Sequence, residues 1–277
     1  MDTASSSISF KSSQNCLVSE MRSEDVPPWL ASRLQQSGID IDQVPPEQLE
    51  MIMRMIYAQM MQRSKPTEML PASECLEGAD SPPAAMPPPG TRHLITGNPI
   101  DEVPAGHEVA MLGMGCFWCS ENLFMRERGV YSTAVGYAGG VTPHPTYRQL
   151  CTGKTNHNEV VRIVFDPAVL PYDAILRTFW EMHDPTTPMR QSGDCGTQYR
   201  SGIYYADDAQ LVTAEVSKER YAEALTAAGH TAPISTEIVP MPTFYFAEAS
   251  HQQRDARPGV DEYCGLAPTG VAFPSTP

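Results

Sequence analysis

The sequence predicts an α+β fold: a two-layer mixed-sheet sandwich with flanking helices and long loops, preceded by a helical N-terminal extension and a Pro-rich linker. Three observations predict it. From about residue 106 to the C-terminus, segments with strand alternation are interleaved with segments of helical period, an order that packs helices on a sheet. Near residue 50 the apolar period is helical only. Between these regions the composition shifts to proline, serine, glycine and acidic residues, which suit neither a helix nor a sheet interior.

Residues 1–26 are Ser-rich without apolar periodicity and are expected to be disordered. Lys11 and Arg22 would suit a transit peptide, but Asp2, Glu20, Glu24 and Asp25 run against that pattern, so the cytoplasm is expected, with plastid or mitochondrion as alternatives. Residues 27–64 predict a helical hairpin. Leu49, Ile52, Met53, Ile56, Tyr57, Met60 and Met61 share one helical face behind Pro45 and Pro46, and a shorter segment over 29–36 is stopped by Gly38. That Met-rich face is read as a packing surface, the sharper alternative being that Met60 and Met61 oxidise and act as internal substrates. Residues 65–104, with Pro82-Pro83 and Pro87-Pro88-Pro89-Gly90, are read as a linker.

Residues 105–277 are expected to form the main folded domain, which carries the candidate catalytic residues. A strand over 108–114 ends at Gly113 and Gly115, and a helix follows from Cys116 or Phe117 to Arg128, stopped by Gly129. Strands are expected over 159–165, 199–205 and 234–239, with helices opened by Pro171 through Met182 and from Asp208 to Ala228 before Gly229.

Composition excludes several classes. A formal net charge of −14 over 277 residues argues against a nucleic-acid surface, and no apolar run approaches the roughly 18 residues of a spanning helix. Neither nucleic acid nor membrane is expected as a partner, and a monomer is expected. Seven cysteines at irregular spacing leave one unpaired in any full disulfide framework, which points to reduced, reactive thiols.

Cys116 is the first chemical candidate. At a strand-to-helix junction it would face unsatisfied N–H groups, which lower a thiol's pKa and populate the thiolate; by itself it could equally be a buried structural cysteine. Phe117 and Trp118 could form an apolar cup for a group such as an S-methyl. Glu159 shares a strand face with Val161, Ile163 and Phe165, so its carboxyl is expected to point into the apolar layer and hold its proton near neutral pH. Pairing with Arg162 at a solvent-exposed strand end is the alternative. The glycine-bracketed segments 136–140 and 193–201 carry Tyr137, Asp194, Thr197 and Tyr199, side chains suited to holding an oxygen. Cys264, in Tyr263-Cys264-Gly265, is a second thiol near a Gly- and Pro-rich end.

Gly115-Cys116-Phe117-Trp118, Gly136-Tyr137-Ala138-Gly139-Gly140, residues 157–166, Gly196-Thr197-Gln198-Tyr199-Arg200-Ser201 and His251-Gln252-Gln253 together resemble the peptide-methionine (S)-S-oxide reductases, in that family's order and over about residues 107–268. The resemblance implies Cys116 as nucleophile, Phe117 and Trp118 as the methyl pocket and Glu159 as proton donor, with Tyr137, Tyr199 and Asp194 orienting the sulfoxide. It also implies a sulfenic acid on Cys116, its condensation with a second thiol, and reduction of that disulfide by thioredoxin, with no metal or organic cofactor. The substrates implied are oxidised proteins or free methionine sulfoxide, in an oxidative-stress response that repairs proteins.

Three positions depart from the family's pattern. Cys195 stands where His or an aliphatic residue is expected, Ala272 where some members carry a third redox cysteine, and Cys119 makes a C-x-x-C pair with Cys116. Cys264 is the expected resolving thiol, with Cys119 as the alternative. Two other readings compete. A general disulfide oxidoreductase explains the C-x-x-C pair but not the Tyr and Glu motifs. A zinc module would draw on Cys116, Cys119, His183 and Cys195, without a second ligand pair to complete it.

Overall fold

The computed structural model describes residues 65–260 and 264–274, together with Val44, Pro45 and Gln48. The chain divides into two compact units, residues 1–61 and 62–277. The expected disordered N-terminus and, those three residues aside, the helical hairpin with Met60 and Met61 lie outside the described residues.

The second unit is built as β1 (Glu108–Met114), α1 (Phe117–Phe124), β2 (Val130–Ala138), α2 (Tyr147–Cys151), β3 (Asn158–Phe165), α3 (Tyr172–Met182), β4 (Arg190–Gln191), β5 (Asp194–Cys195), β6 (Ser201–Tyr205), α4 (Asp208–Ala227), β7 (Glu237–Pro240) and β8 (Tyr245–Phe246). Six strands form one mixed sheet in the order β7-β6-β1-β3-β2-β8, and β4 pairs with β5 separately. Within the large sheet only β6 and β7 run parallel. The α+β expectation is met.

Alternation decides which side of the sheet is the core. Ala110, Leu112 and Met114 of β1 and Val161, Ile163 and Phe165 of β3 bury one face against Ile175, Leu176, Phe179 and Trp180 of α3 and Ala214, Tyr221 and Leu225 of α4. Trp180 donates its indole N–H to Ser217 Oγ at 2.8 Å, so the two helices are joined by a satisfied polar contact inside the apolar layer. On the other face, Met111, Ala138, Val160 and Tyr204 are covered by Val239, Met241 and Phe244.

Several boundaries differ from the expectation, the strand expected over 234–239 among them, which runs Glu237–Pro240. α1 stops at Phe124 rather than Arg128, because the chain turns at Gly129 (φ +97°) and β2 starts at Val130. Residues 136–138, read as loop, complete β2. Gly136 belongs there because β8 passes so close that a Cβ would lie 2.4 Å from Tyr245 O. Thr197–Tyr199 is a 3-10 turn, and β6 begins at Ser201.

The segment 65–104 is not a free tether. Leu76 N–H donates to Lys154 O, Ala79 N–H to Pro143 O, and Asn156 brackets Leu70 through both its amide atoms. Arg162, on the covered face of β3, donates to Ile100 O at 3.0 Å, and Ile100 itself is 1% exposed. Proline density signals the absence of long helices and strands, which holds apart from a 3-10 turn at Ala72–Glu74 and a single Arg92–Pro99 bridge, but it does not signal the absence of packing: an extended strap can satisfy its backbone on loops of the domain. A chain starting at residue 105 is therefore expected to melt several degrees below one starting at residue 62, since it uncovers Ile100 and strips several cross-strap hydrogen bonds, each contributing roughly 1 kcal/mol. Thermal unfolding of the two truncations checks this, and equal melting temperatures would return the segment to a linker.

Candidate active site

The C-terminal ends of β1 and β2 and the start of β3 meet at one end of the sheet. Gly115 (φ +96°) turns the chain out of β1, and Cys116 caps α1. Glu159 sits directly across from Tyr137 in the β2–β3 register, so the two side chains share a face under the first turn of α1. The carboxyl reaches that turn. Glu159 Oε2 accepts the Phe117 N–H at 3.0 Å, satisfying one of the helix's unpaired amides, while Oε1 is buried with no hydrogen-bond partner among the described residues.

Burial dominates the chemistry of Glu159. At 1% exposure its proton affinity rises until the carboxyl titrates at about 8, with the Phe117 N–H pulling the other way and Asp194 adding to the rise. The sequence placed this carboxyl in the apolar layer, and there it lies. An acid that is protonated at neutral pH, with one oxygen unpartnered, is equipped to donate a proton.

Cys116 departs from the expectation of a lowered pKa. Its thiol is 4% exposed, and a hydrogen bond to Cys119, burial and the nearby Glu159 together push it well above the ordinary thiol range. Burial and the shared proton outweigh the helix terminus here. Cys119 moves down instead, because it accepts from Cys116 and from the Gly265 N–H at 3.1 Å. The pair thus keeps its proton on Cys116 and places its first negative charge on Cys119.

Aromatic rings wall the site. Phe117 is fully buried, 5.8 Å from Trp118, 6.0 Å from Tyr137 and 6.2 Å from Tyr147 by ring centroids. His251 stacks on Trp118 at 5.5 Å and lies 4.4 Å from Tyr147, and Arg254 covers the Trp118 ring at 4.5 Å. Tyr199 is nearly buried, and its hydroxyl is pushed up by burial and then by Glu159 and Asp194. Tyr137 is not open-handed: its hydroxyl donates to Glu248 Oε2 at 2.7 Å, and Glu248 Oε1 accepts the Tyr147 N–H at 2.8 Å.

The structure therefore brings together Cys116, Phe117, Trp118, Tyr137, Glu159, Tyr199 and Asp194 from four separated stretches of the sequence. Cys264 is exposed, yet its sulfur hydrogen-bonds to Cys119 rather than to Cys116. Sequence reasoning quoted His251 in a motif without giving it a role, and missed Tyr147, Cys151, Glu248 and Lys65. Cys151 hydrogen-bonds to Tyr147 and feels the Glu159 charge, and Lys65 lies over the Tyr199 ring at 5.2 Å. No local pattern marks these residues; the capping box of Thr146 and Gln149, which starts α2, is the one readable signal that would have placed Tyr147 on a helix. His183 does not fit the zinc reading, since its two ring nitrogens are engaged by Phe179 O and Ser201 Oγ.

A buried protonated thiol, a buried protonated carboxyl, an aromatic cup and a chain of thiols leading to the surface define a thiol-dependent reductase. Residues 108–269 match the family model described as peptide methionine sulfoxide reductase. The chain is 51% identical over 211 residues to peptide methionine sulfoxide reductase MsrA 1 of Synechocystis sp., covering 76% of this chain and 92% of that protein. It is 49% identical over 202 residues to MsrA of Salmonella typhimurium, covering 73% and 93%. Among solved structures it is similar to methionine sulfoxide reductase A of Corynebacterium diphtheriae, with TM-score 0.63 and 38% identity over 72% of this chain and 99% of that one. It is also similar to Mxr1 of Saccharomyces cerevisiae in reduced form, with TM-score 0.53 and 32% identity over 64% and 97%. The chain belongs to the peptide methionine sulfoxide reductase family, type A. It is an oxidoreductase acting on methionine sulfoxide, and no described helix is long and apolar enough to cross a membrane.

Proposed function

We propose that the enzyme reduces the S epimer of methionine sulfoxide, peptide-bound or free, by attack of Cys116 on the sulfoxide sulfur with Glu159 as proton donor. The observation that carries this reading is the unpartnered, buried Oε1 of a protonated Glu159 beside the Cys116 turn. Phe117 and Trp118 receive the methyl group, and Tyr199 and Asp194 orient the oxygen, with Tyr137 joining them once its hydroxyl turns from Glu248 to the substrate. Cys116 passes its proton to Cys119 as its sulfur bonds to the sulfoxide sulfur and Glu159 protonates the oxygen; the hydroxyl then shifts from the methionine sulfur to Cys116 as the bond between the two sulfurs breaks. Methionine leaves and Cys116 carries the oxygen as a sulfenic acid.

The geometry supports a relay for recycling. Cys119 touches both other thiols, so it condenses with the sulfenic acid, releasing water and forming a Cys116–Cys119 disulfide. Cys264 then attacks Cys119, freeing Cys116 as a thiol and leaving a Cys119–Cys264 disulfide within reach of a surface reductant. Thioredoxin is the reductant in this reading, with no metal or organic cofactor. This changes the weight given to Cys119, which the sequence reading kept only as the alternative to Cys264.

Resolved sulfoxide epimers test the reaction: the S epimer is expected to be reduced with dithiothreitol, and equal turnover of both epimers would sink the assignment. Mass mapping after one equivalent of sulfoxide tests the relay. Cys119→Ser is expected to trap Cys116 as sulfenic acid, whereas Cys264→Ser is expected to trap the Cys116–Cys119 disulfide; a Cys116–Cys264 bridge in Cys119→Ser at the wild-type rate would remove Cys119 from the route.

A further inference from the structure

The reaction above assigns nothing to Lys65, which the chain delivers to the catalytic end of the sheet from about fifty residues before Cys116. Its amino group stands 5.2 Å from the Tyr199 ring centroid, a cation over an aromatic face. Its stem is seated by two glycine loops. A Cβ on Gly196 (φ +128°) would lie 3.1 Å from Lys65 Cδ, and a Cβ on Gly153 (φ +72°) would lie 2.8 Å from Pro66 Cδ. The loops that bring Tyr199 and Cys151 to the site thus also leave room for this strap residue. Among the described residues no hydrogen bond or ion pair to Lys65 is formed, so its charge is directed at the pocket region, where it also favours the ionised forms of Glu159 and Cys151.

The surrounding charges sharpen the point. The whole chain carries −14, which repels acidic peptides at long range. Screening over about 8 Å at physiological salt removes most of that field at contact and leaves the nearest groups in control. Those are Lys65, Asp194 and Glu159 on the Tyr199 side, with Glu159 largely neutral below about 8, Glu248 held by Tyr137 and the Tyr147 N–H, and Arg254 on the Trp118 side, paired with Asp255 at 2.8 Å. Residues flanking a bound methionine sulfoxide follow at about 3.3 Å per residue, within reach of an ammonium at the edge of Tyr199.

We propose that Lys65 is a specificity residue: it favours substrates in which an acidic side chain or a terminal carboxylate lies next to the oxidised methionine. The proposal rests on the assignment of the sulfoxide pocket made above. An exposed ion pair of this kind changes affinity about two- to fivefold and does so through encounter and KM, with a dependence on salt.

The test uses the full chain and three short peptides with one S-sulfoxide flanked by Glu, Gln or Lys, comparing kcat/KM ratios within each variant so that differences in folded fraction cancel. Wild type is expected to rank Glu above Gln above Lys, with the Glu-to-Gln ratio shrinking as salt rises. Lys65→Met should lower that ratio about two- to fivefold through KM, Lys65→Arg should restore it, and Lys65→Glu should reverse the ranking. The same ratio in wild type, Lys65→Met and Lys65→Glu overturns the proposal, as does a ratio that falls in Lys65→Met and is not restored by Lys65→Arg. Failure of wild type to reduce even the Gln peptide would instead overturn the pocket assignment itself.

Discussion

Glu159→Gln is expected to slow the oxygen-transfer step roughly 10² to 10⁴-fold while leaving the fold in place, the range that a positioned general acid contributes. The amide oxygen can still accept the Phe117 N–H, so the tie between β3 and the first turn of α1 survives. What is lost is the acidic proton. In wild type the sign of the pH effect follows from the raised pKa: the acid is loaded below about 8 and ionises above it, so single-turnover rates should fall as pH rises through that value. In Glu159→Gln that limb should vanish. Single-turnover measurements with dithiothreitol excluded separate this step from recycling, and a variant with wild-type rates at all pH values would make Glu159 a structural strut for α1.

The second large effect concerns stability. Glu121 is 1% exposed in the middle of α1, and its carboxyl accepts three hydrogen bonds: from Thr133 Oγ1 at 2.8 Å, from Gln253 Nε2 at 2.8 Å and from the Gln253 N–H at 2.8 Å. The last holds Gln253 in a left-handed conformation (φ +44°), next to His251 and Arg254 of the aromatic wall. Thr133 in turn meets His93 of the strap at 2.9 Å; because His93 Nδ1 accepts the Thr96 N–H, its Nε2 carries the proton and donates. Glu121→Ala leaves these donors buried without an acceptor and opens a cavity. The expected cost is about 3–5 kcal/mol, a drop in Tm of roughly 10 °C. Burial also raises Glu121 to about 7, so the folded state binds this proton more tightly than the unfolded chain. The stability it contributes is therefore full below the ordinary value of 4.5 and is lost as pH rises towards about 7. Glu159 extends the same trend to about 8. Melting curves across pH 5 to 8 check the slope, which should flatten when Glu121 is replaced; a Glu121→Ala protein as stable as wild type would show that the network carries no net stability.

By itself the sequence determined the elements whose period is strong and local. The strand β1 ends where Gly115 permits a turn, β3 alternates cleanly from Glu159 to Phe165, and α3 and α4 start at Pro171 and the Asp207 cap. Cys116, Glu159 and the aromatic pair after the cysteine were legible for the same reason, since a strand-to-helix junction and a two-residue alternation fix where a side chain points. The protonation of the thiols was not. A helix terminus predicts a lowered pKa, but Cys116 donates to Cys119 three residues along the same helix and is buried beside the Glu159 carboxyl of β3, while the Gly265 N–H that steadies a charge on Cys119 comes from 146 residues away in sequence. The strap was misread because proline reports on hydrogen-bonded secondary structure and says nothing about docking. Lys65, Tyr147, Cys151 and Glu248 reach the pocket through loops whose geometry is set by glycines and side-chain clamps, such as the grip of Gln252 on Val135. Chain direction in a loop has no period, so only the packed tertiary structure decides which side chains meet there.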